Sequence, residues 1–245
     1  MKKSVSVWML LARSTFWKIC AVLAVTGLGE AALLALQASK GSPLIGRPDA
    51  GIQALALNVE NLYRYGHISL MCGVGAMAVL LILMLPGWYR TTKTEYTLHR
   101  LQVSPKGFYL CHAGYSFCCL LLYWAVQALT LSALTVYWGK ALHPELYGPE
   151  TLLLAAWRVP LLHALIPLAD WSVLLRGLAM ALLLAVLVAD SSRRSWYNLL
   201  GMVVILAMFP AKVGDLVFNL LELPWFAVAT VIVVFNMKKE AEYEL

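Results

Sequence analysis

The feature that most constrains this sequence is a run of 33 residues, from Gly107 to Gly139, without a single Asp, Glu, Lys or Arg. A second uncharged run covers the 25 residues from Tyr65 to Tyr89. A helix of about 20 apolar residues is long enough to cross the hydrocarbon core of a bilayer, where charged side chains are costly. The two runs therefore predict a polytopic membrane protein.

The composition of the chain agrees with this prediction. Hydrophobic residues make up 61% of the chain and charged residues 13%, with a mean hydropathy of +0.75, which is more apolar than a typical soluble domain. The net charge of +6 arises from basic residues at the ends of apolar runs. That placement is typical of membrane topology and not of a nucleic-acid-binding surface, so no nucleic-acid partner is expected.

Apolar runs and their basic flanks predict an all-α protein, a single transmembrane domain over residues 1–245 with six spans. The spans are predicted near residues 17–36, 67–85, 105–138, 171–189, 195–210 and 223–237. An interfacial helix is predicted over 1–16, and an apolar segment at the outer surface over 151–168, whose insertion into the membrane stays open. Both termini are then cytoplasmic, because twelve of the 19 Lys and Arg residues fall on that side: Lys2, Lys3, Arg13, Lys18, Arg90, Lys93, Arg100, Lys106, Arg193, Arg194, Lys238 and Lys239.

The loop between the second and third predicted spans has helix signals of its own. Thr92 and Glu95 have the spacing of a capping box, and Leu98 and Leu101 share one face of the helix that it would start. Ser104-Pro105 then supplies an N-cap followed by proline at the first position of the third span. These signals predict a short cytoplasmic helix over residues 92–104.

This loop resembles the cytoplasmic helix of permease subunits of ATP-binding-cassette (ABC) exporters of the drug, lipid and polysaccharide export class. The family pattern reads Glu-Gly-Thr-Leu-x-x-Leu-x-x-Ser/Thr-Pro with a basic residue soon after, and it is matched here by Glu95, Thr97, Leu98, Leu101, Ser104, Pro105 and Lys106. The resemblance implies that this coupling helix sits in a cleft of a cytoplasmic ATPase and transmits its movements to the spans. The residues implied in the contact are Glu95, Thr97, Leu98, His99, Arg100 and Leu101.

The resemblance further implies an exporter of a hydrophobic or amphipathic substrate in a cell membrane, most typically bacterial, working with a second permease copy or a paralogue. The chain contains no G-x-x-x-x-G-K-[ST] sequence for binding nucleotide phosphates. We therefore predict no enzyme activity, catalytic residue, metal site or cofactor in this chain, and expect ATP and Mg on the partner ATPase. Two alternatives remain: an ATP-independent secondary carrier, and a non-transporting membrane scaffold or sensor subunit.

Several ionisable residues are predicted at or near membrane depth. A charge at the centre of a bilayer costs roughly 2.5–3.5 kcal/mol on insertion scales, so such groups usually face a cavity or a partner. Groups near the end of a span instead reach the aqueous interface with their side chains. Both interpretations, a transport pathway and interfacial anchoring, stay open for Glu30, Arg158, His163, Asp170, Arg176 and Asp215.

Overall fold

A computed structural model describes residues 2–39, 59–88, 105–142, 149–166, 171–190, 195–208, 224 and 226–231. All of the regular secondary structure in these ranges is helical, which confirms the all-α prediction. The helices are α1 (Lys2–Ser39), α2 (59–65), α3 (Ile68–Trp88), α4 (Pro105–Leu142), α5 (Pro149–Arg158), α6 (Pro160–Leu165), α7 (Trp171–Asp190), α8 (Ser195–Met208) and α9 (226–231).

Four of the described helices are long and apolar enough to cross a membrane, which supports a membrane protein. Their spanning segments are Val5–Ser39, Ile68–Pro86, Gly107–Ala141 and Trp171–Asp190, and they coincide with the first four predicted spans. The predicted fifth span corresponds to α8, whose 14 residues rise only about 21 Å. The predicted sixth span is described only at residues 224 and 226–231. A count of six spans therefore stays a prediction.

Helix α1 joins two segments that were predicted separately. It continues from Lys2 to Ser39 with no break between the predicted interfacial helix, 1–16, and the predicted first span, 17–36. No proline or glycine interrupts the sequence before Gly27, so nothing local ends the helix at this boundary. Its 38 residues rise about 57 Å, which exceeds the thickness of a bilayer core and lets one end extend beyond it.

The core of the molecule lies around α3, α4 and α7. In α7, 72% of the residues in the apolar segment are buried, against 22% in α1, so α7 is the inner helix and α1 the peripheral one. Helix α4 makes its largest contacts with α7 and α1, and α1 also packs against α3. Helix α4 thus touches both the inner and the peripheral part of the bundle.

One end of the bundle is closed by the short helices. Helix α2 turns into α3 at Gly66-His67, where His67 has a positive φ of 52° and its carbonyl accepts the first hydrogen bonds of α3 from Leu70 and Met71. Helices α5 and α6 follow α4, and α6 packs against α4 and α7. In the predicted outer-surface segment, 151–168, the five residues Leu161 to Leu165 are buried against these helices.

Candidate functional site

The candidate site is a stripe of polar side chains that winds along α4. Its members are Tyr115, Cys119, Tyr123, Gln127 and Thr135, all buried. They follow one another at intervals of four residues, with Leu131 in the remaining position, so that successive members are neighbours on the helix surface and each lies about 40° further round the helix than the last. We refer to these five residues as the polar stripe.

Gln127 of the polar stripe contacts the carboxyl group of Glu30 on α1. With the Gln127 amide oriented so that its nitrogen faces Glu30, Nε2 donates to Oε1 at 2.9 Å and to Oε2 at 3.0 Å. Both side chains are almost fully enclosed, with Glu30 0% and Gln127 1% exposed. An ionisable group buried at membrane depth, in contact with a polar partner, is a candidate functional site by default.

Three other members of the polar stripe connect α4 to its neighbours. Tyr123 OH donates to the carbonyl oxygen of Cys72 on α3 at 2.6 Å. Tyr115 OH hydrogen-bonds to Thr15 Oγ1 on α1 at 2.8 Å. Thr135 Oγ1 hydrogen-bonds to Tyr63 OH on α2 at 2.7 Å. Buried hydrogen bonds of this kind fix the register of α4 against three helices, because any slip would leave polar groups unsatisfied.

The helices approach closely beside Glu30 because one of them has a glycine there. A Cβ atom on Gly75 would lie 2.5 Å from Thr26 Oγ1 and 2.8 Å from Tyr123 OH, so no larger residue fits without a shift. Tyr123 OH, beside Gly75, also hydrogen-bonds to Cys72, and Tyr123 lies one turn before Gln127, the partner of Glu30. The arrangement places one ionisable carboxyl among amide, phenol, thiol and hydroxyl groups.

The charged residues predicted at membrane depth have different environments. Arg176 on α7 is 2% exposed and His163 on α6 is 7% exposed, whereas Arg158, the last residue of α5, is exposed. Glu30 accepts hydrogen bonds from Gln127. Burial of Glu30 and Arg176 inside the protein favours a pathway or structural role for both over interfacial anchoring.

The remaining predicted site residues lie outside the described part of the chain. They are Glu95, Thr97, Leu98, His99, Arg100 and Leu101 of the predicted coupling helix, with Asp170 and Asp215. Within the described residues, no three His, Cys, Asp or Glu side chains are grouped so that they could hold a metal ion.

Sequence reasoning singled out Glu30 but missed Gln127 and the polar stripe. The four-residue spacing of Tyr115, Cys119, Tyr123 and Gln127 inside the uncharged run was the available signal.

Comparison of the chain with protein families, curated proteins and solved structures finds no match.

Proposed function

We propose that this chain is the permease subunit of an ABC exporter, driven by a separately encoded ATPase that binds ATP and Mg. The observation that carries the proposal is the family motif from Glu95 to Lys106, which falls between two helices long enough to span a membrane. Helix α3 ends at Trp88 and α4 begins at Pro105, the proline of the motif.

The packing of α4 supports a mechanical role for this segment. Residues 89–104 join the ends of α3 and α4, and α4 contacts α1, α3, α5, α6 and α7. A displacement applied to the start of α4 by a partner ATPase would reach the Glu30–Gln127 pair and the inner helix α7 together. Such a change would alter the packing between spans, which is how an exporter opens and closes its pathway. The proposal includes six spans, cytoplasmic termini and a second permease copy or paralogue.

Affinity purification of the tagged chain from its native membranes tests the proposal. An ATPase subunit is expected to copurify, and the purified complex is expected to hydrolyse ATP. The chain on its own is expected to show no saturable ATP binding, because its sequence has no phosphate-binding loop. Nucleotide binding by the isolated chain, or native purification without any ATPase, would contradict the proposal.

A second candidate, an ion-coupled carrier, is favoured by Glu30 alone. A carboxyl group enclosed at membrane depth can take up and release a proton, as carboxyl groups do in proton relays of transporters. The two candidates differ in their energy source. Uptake into proteoliposomes of the chain alone, driven by an imposed pH gradient and abolished by Glu30→Gln, would favour the carrier.

A further inference from the structure

Two cavities adjoin one another at the end of the bundle where α2, α3 and α6 meet. An apolar cavity of about 110 Å³ lies between α3, α4, α6 and α7. A larger cavity of about 390 Å³, which we call the polar cavity, is lined by α2 and by the start of α6. Ser69 and Leu161 line both, so the two cavities lie side by side.

In the wall of the apolar cavity, the polar groups of both aromatic side chains, Tyr123 and Trp124, donate hydrogen bonds to backbone carbonyls. Tyr123 OH donates to the carbonyl oxygen of Cys72 at 2.6 Å, and Trp124 Nε1 donates to the carbonyl oxygen of Leu165 at 3.0 Å. A buried water needs two to four polar partners, whereas cavities lined by apolar side chains stay dry and accept apolar guests. Its volume is of the same order as that of a cavity known to bind benzene. The guest that fits this cavity is part of an alkyl chain.

The polar cavity is lined by two residues of opposite charge. Glu60 and Arg64 both line it and lie four residues apart on α2, so they share one face of that helix. Arg64 is exposed, and a guanidinium group is well suited to bind a phosphate through paired hydrogen bonds. A carboxylate one turn away is positioned for the ammonium group of the same ligand.

We propose that the two cavities together bind one zwitterionic amphiphile, with its phosphate at Arg64, its ammonium at Glu60 and part of its alkyl chain in the apolar cavity. The shared lining residues Ser69 and Leu161 place both cavities within reach of one molecule. The interpretation of this amphiphile as the exported substrate rests on the transport function proposed above. Binding itself requires neither an ATPase nor transport.

A substitution at Gly73 is designed to fill the apolar cavity. A Cβ atom on Gly73 would meet no atom within 4 Å, although Gly73 lines the cavity. Gly73→Leu therefore adds a side chain at a residue that lines the cavity, and its Cβ meets open space. The matched control is Val74→Leu, because Val74 is the next residue and is 56% exposed. Met180→Phe, on the opposite wall, is a second filling variant.

Photolabelling of the purified chain tests the proposal. The chain is placed in nanodiscs of phosphatidylglycerol and given lysophosphatidylcholine with a diazirine in its alkyl chain. Saturable labelling of peptides with Ala76, Met180 or Leu184 is expected, with competition by unlabelled lysophosphatidylcholine. We expect Gly73→Leu and Met180→Phe to lower the saturable labelling at least tenfold and Val74→Leu to leave the labelling unchanged. Monodisperse elution of each variant verifies its fold.

The headgroup is tested with the same reagent. Arg64→Gln is expected to weaken binding at least fivefold for both phosphatidylcholine-type and phosphatidylglycerol-type lysolipids. Glu60→Gln is expected to weaken only the first, because only that one has an ammonium group. Labelling that is spread evenly over lipid-facing residues such as Leu70 would overturn the proposal. Labelling that neither Arg64→Gln nor Glu60→Gln changes would overturn it as well. Failure of saturating chain-free phosphocholine to compete would also overturn it, since the polar cavity would then be a separate site.

This result is separable from that of the proposed function. If no ATPase copurifies but labelling follows the expected pattern, the amphiphile site stands and the ABC assignment fails. If an ATPase copurifies and labelling is diffuse, the exporter stands and its substrate site lies elsewhere.

Discussion

At the scale of single residues, the Glu30–Gln127 pair determines what the centre of the bundle tolerates. Gln127→Leu leaves the Glu30 carboxyl buried without its amide donor, and an unsatisfied buried polar group costs about 1–3 kcal/mol, more if it is charged. The free energy of unfolding should fall by that amount. Replacing both residues, Glu30→Leu with Gln127→Leu, should cost less than Gln127→Leu alone, because no orphaned group remains.

The free energies of unfolding in mixed micelles of the unsubstituted chain, Glu30→Leu, Gln127→Leu and the double variant complete a double-mutant cycle that tests this prediction. Additive losses of stability, with the double variant the least stable of all, would show that the two side chains do not interact. The hydrogen bonds from Gln127 Nε2 to Glu30 would then contribute nothing to the fold.

A second prediction at this scale concerns Gly177 on α7, which lies under Trp124. A Cβ atom on Gly177 would lie 2.7 Å from a ring carbon of Trp124, so Gly177→Ala displaces the indole and strains its hydrogen bond to Leu165. Overpacking of this kind typically costs about 1–3 kcal/mol. The control is Gly201→Ala on α8, whose Cβ would meet Leu187 at an ordinary 3.8 Å.

Gly177→Ala should lower the thermal unfolding temperature, whereas Gly201→Ala should not. Alanine is favoured over glycine within a helix by up to about 1 kcal/mol, so Gly201→Ala should be neutral or stabilising. Equal effects of the two substitutions would mean that helix propensity, and not the contact with Trp124, decides the outcome at Gly177.

At the scale of elements, the predicted coupling helix, 92–104, should separate partner binding from membrane insertion. Leu98→Asp with Leu101→Asp removes two apolar side chains, each worth about 1.5–3 kcal/mol if buried in a cleft, and adds carboxylates. We expect normal insertion but loss of the copurifying ATPase. Tyr96→Asp, which puts one carboxylate on the opposite face of the predicted helix, should retain the ATPase.

Two outcomes of that experiment would contradict the coupling role. Retention of the ATPase by the double variant, with full ATP hydrolysis, would remove this helix from the interface. Failure of the double variant to insert would show that the leucines pack against the permease itself.

At the scale of the whole molecule, the charge asymmetry predicts the topology. In a background without the five native cysteines, Arg47→Cys should react with an impermeant thiol reagent added outside, and Ala241→Cys should not. The physical reason is that Lys and Arg are retained on the cytoplasmic side during insertion. Ready labelling at position 241, or none at position 47, would contradict six spans with cytoplasmic termini.

Helix boundaries were predictable from the sequence where the signal is local. The third span was expected to start at Pro105 and α4 does begin there; the fourth was expected at 171–189 and α7 is Trp171–Asp190. Uncharged length and a proline after an N-cap residue act on their own stretch of chain. The predicted boundary between 16 and 17 had no such local signal, and one helix continues through it.

The candidate site depended on contacts that no local pattern contains. Glu30 could be recognised as an unusual residue because its charge is costly in a membrane, but its hydrogen-bond partner lies on α4, far along the chain. Likewise Ser69 and Leu161, on α3 and α6, line two adjoining cavities only because these helices meet at one end of the bundle. The sequence by itself determined which segments prefer lipid, since hydrophobicity is a sum over neighbouring residues. Which buried polar groups face one another was decided by tertiary packing, since that depends on how separate helices are rotated and in register.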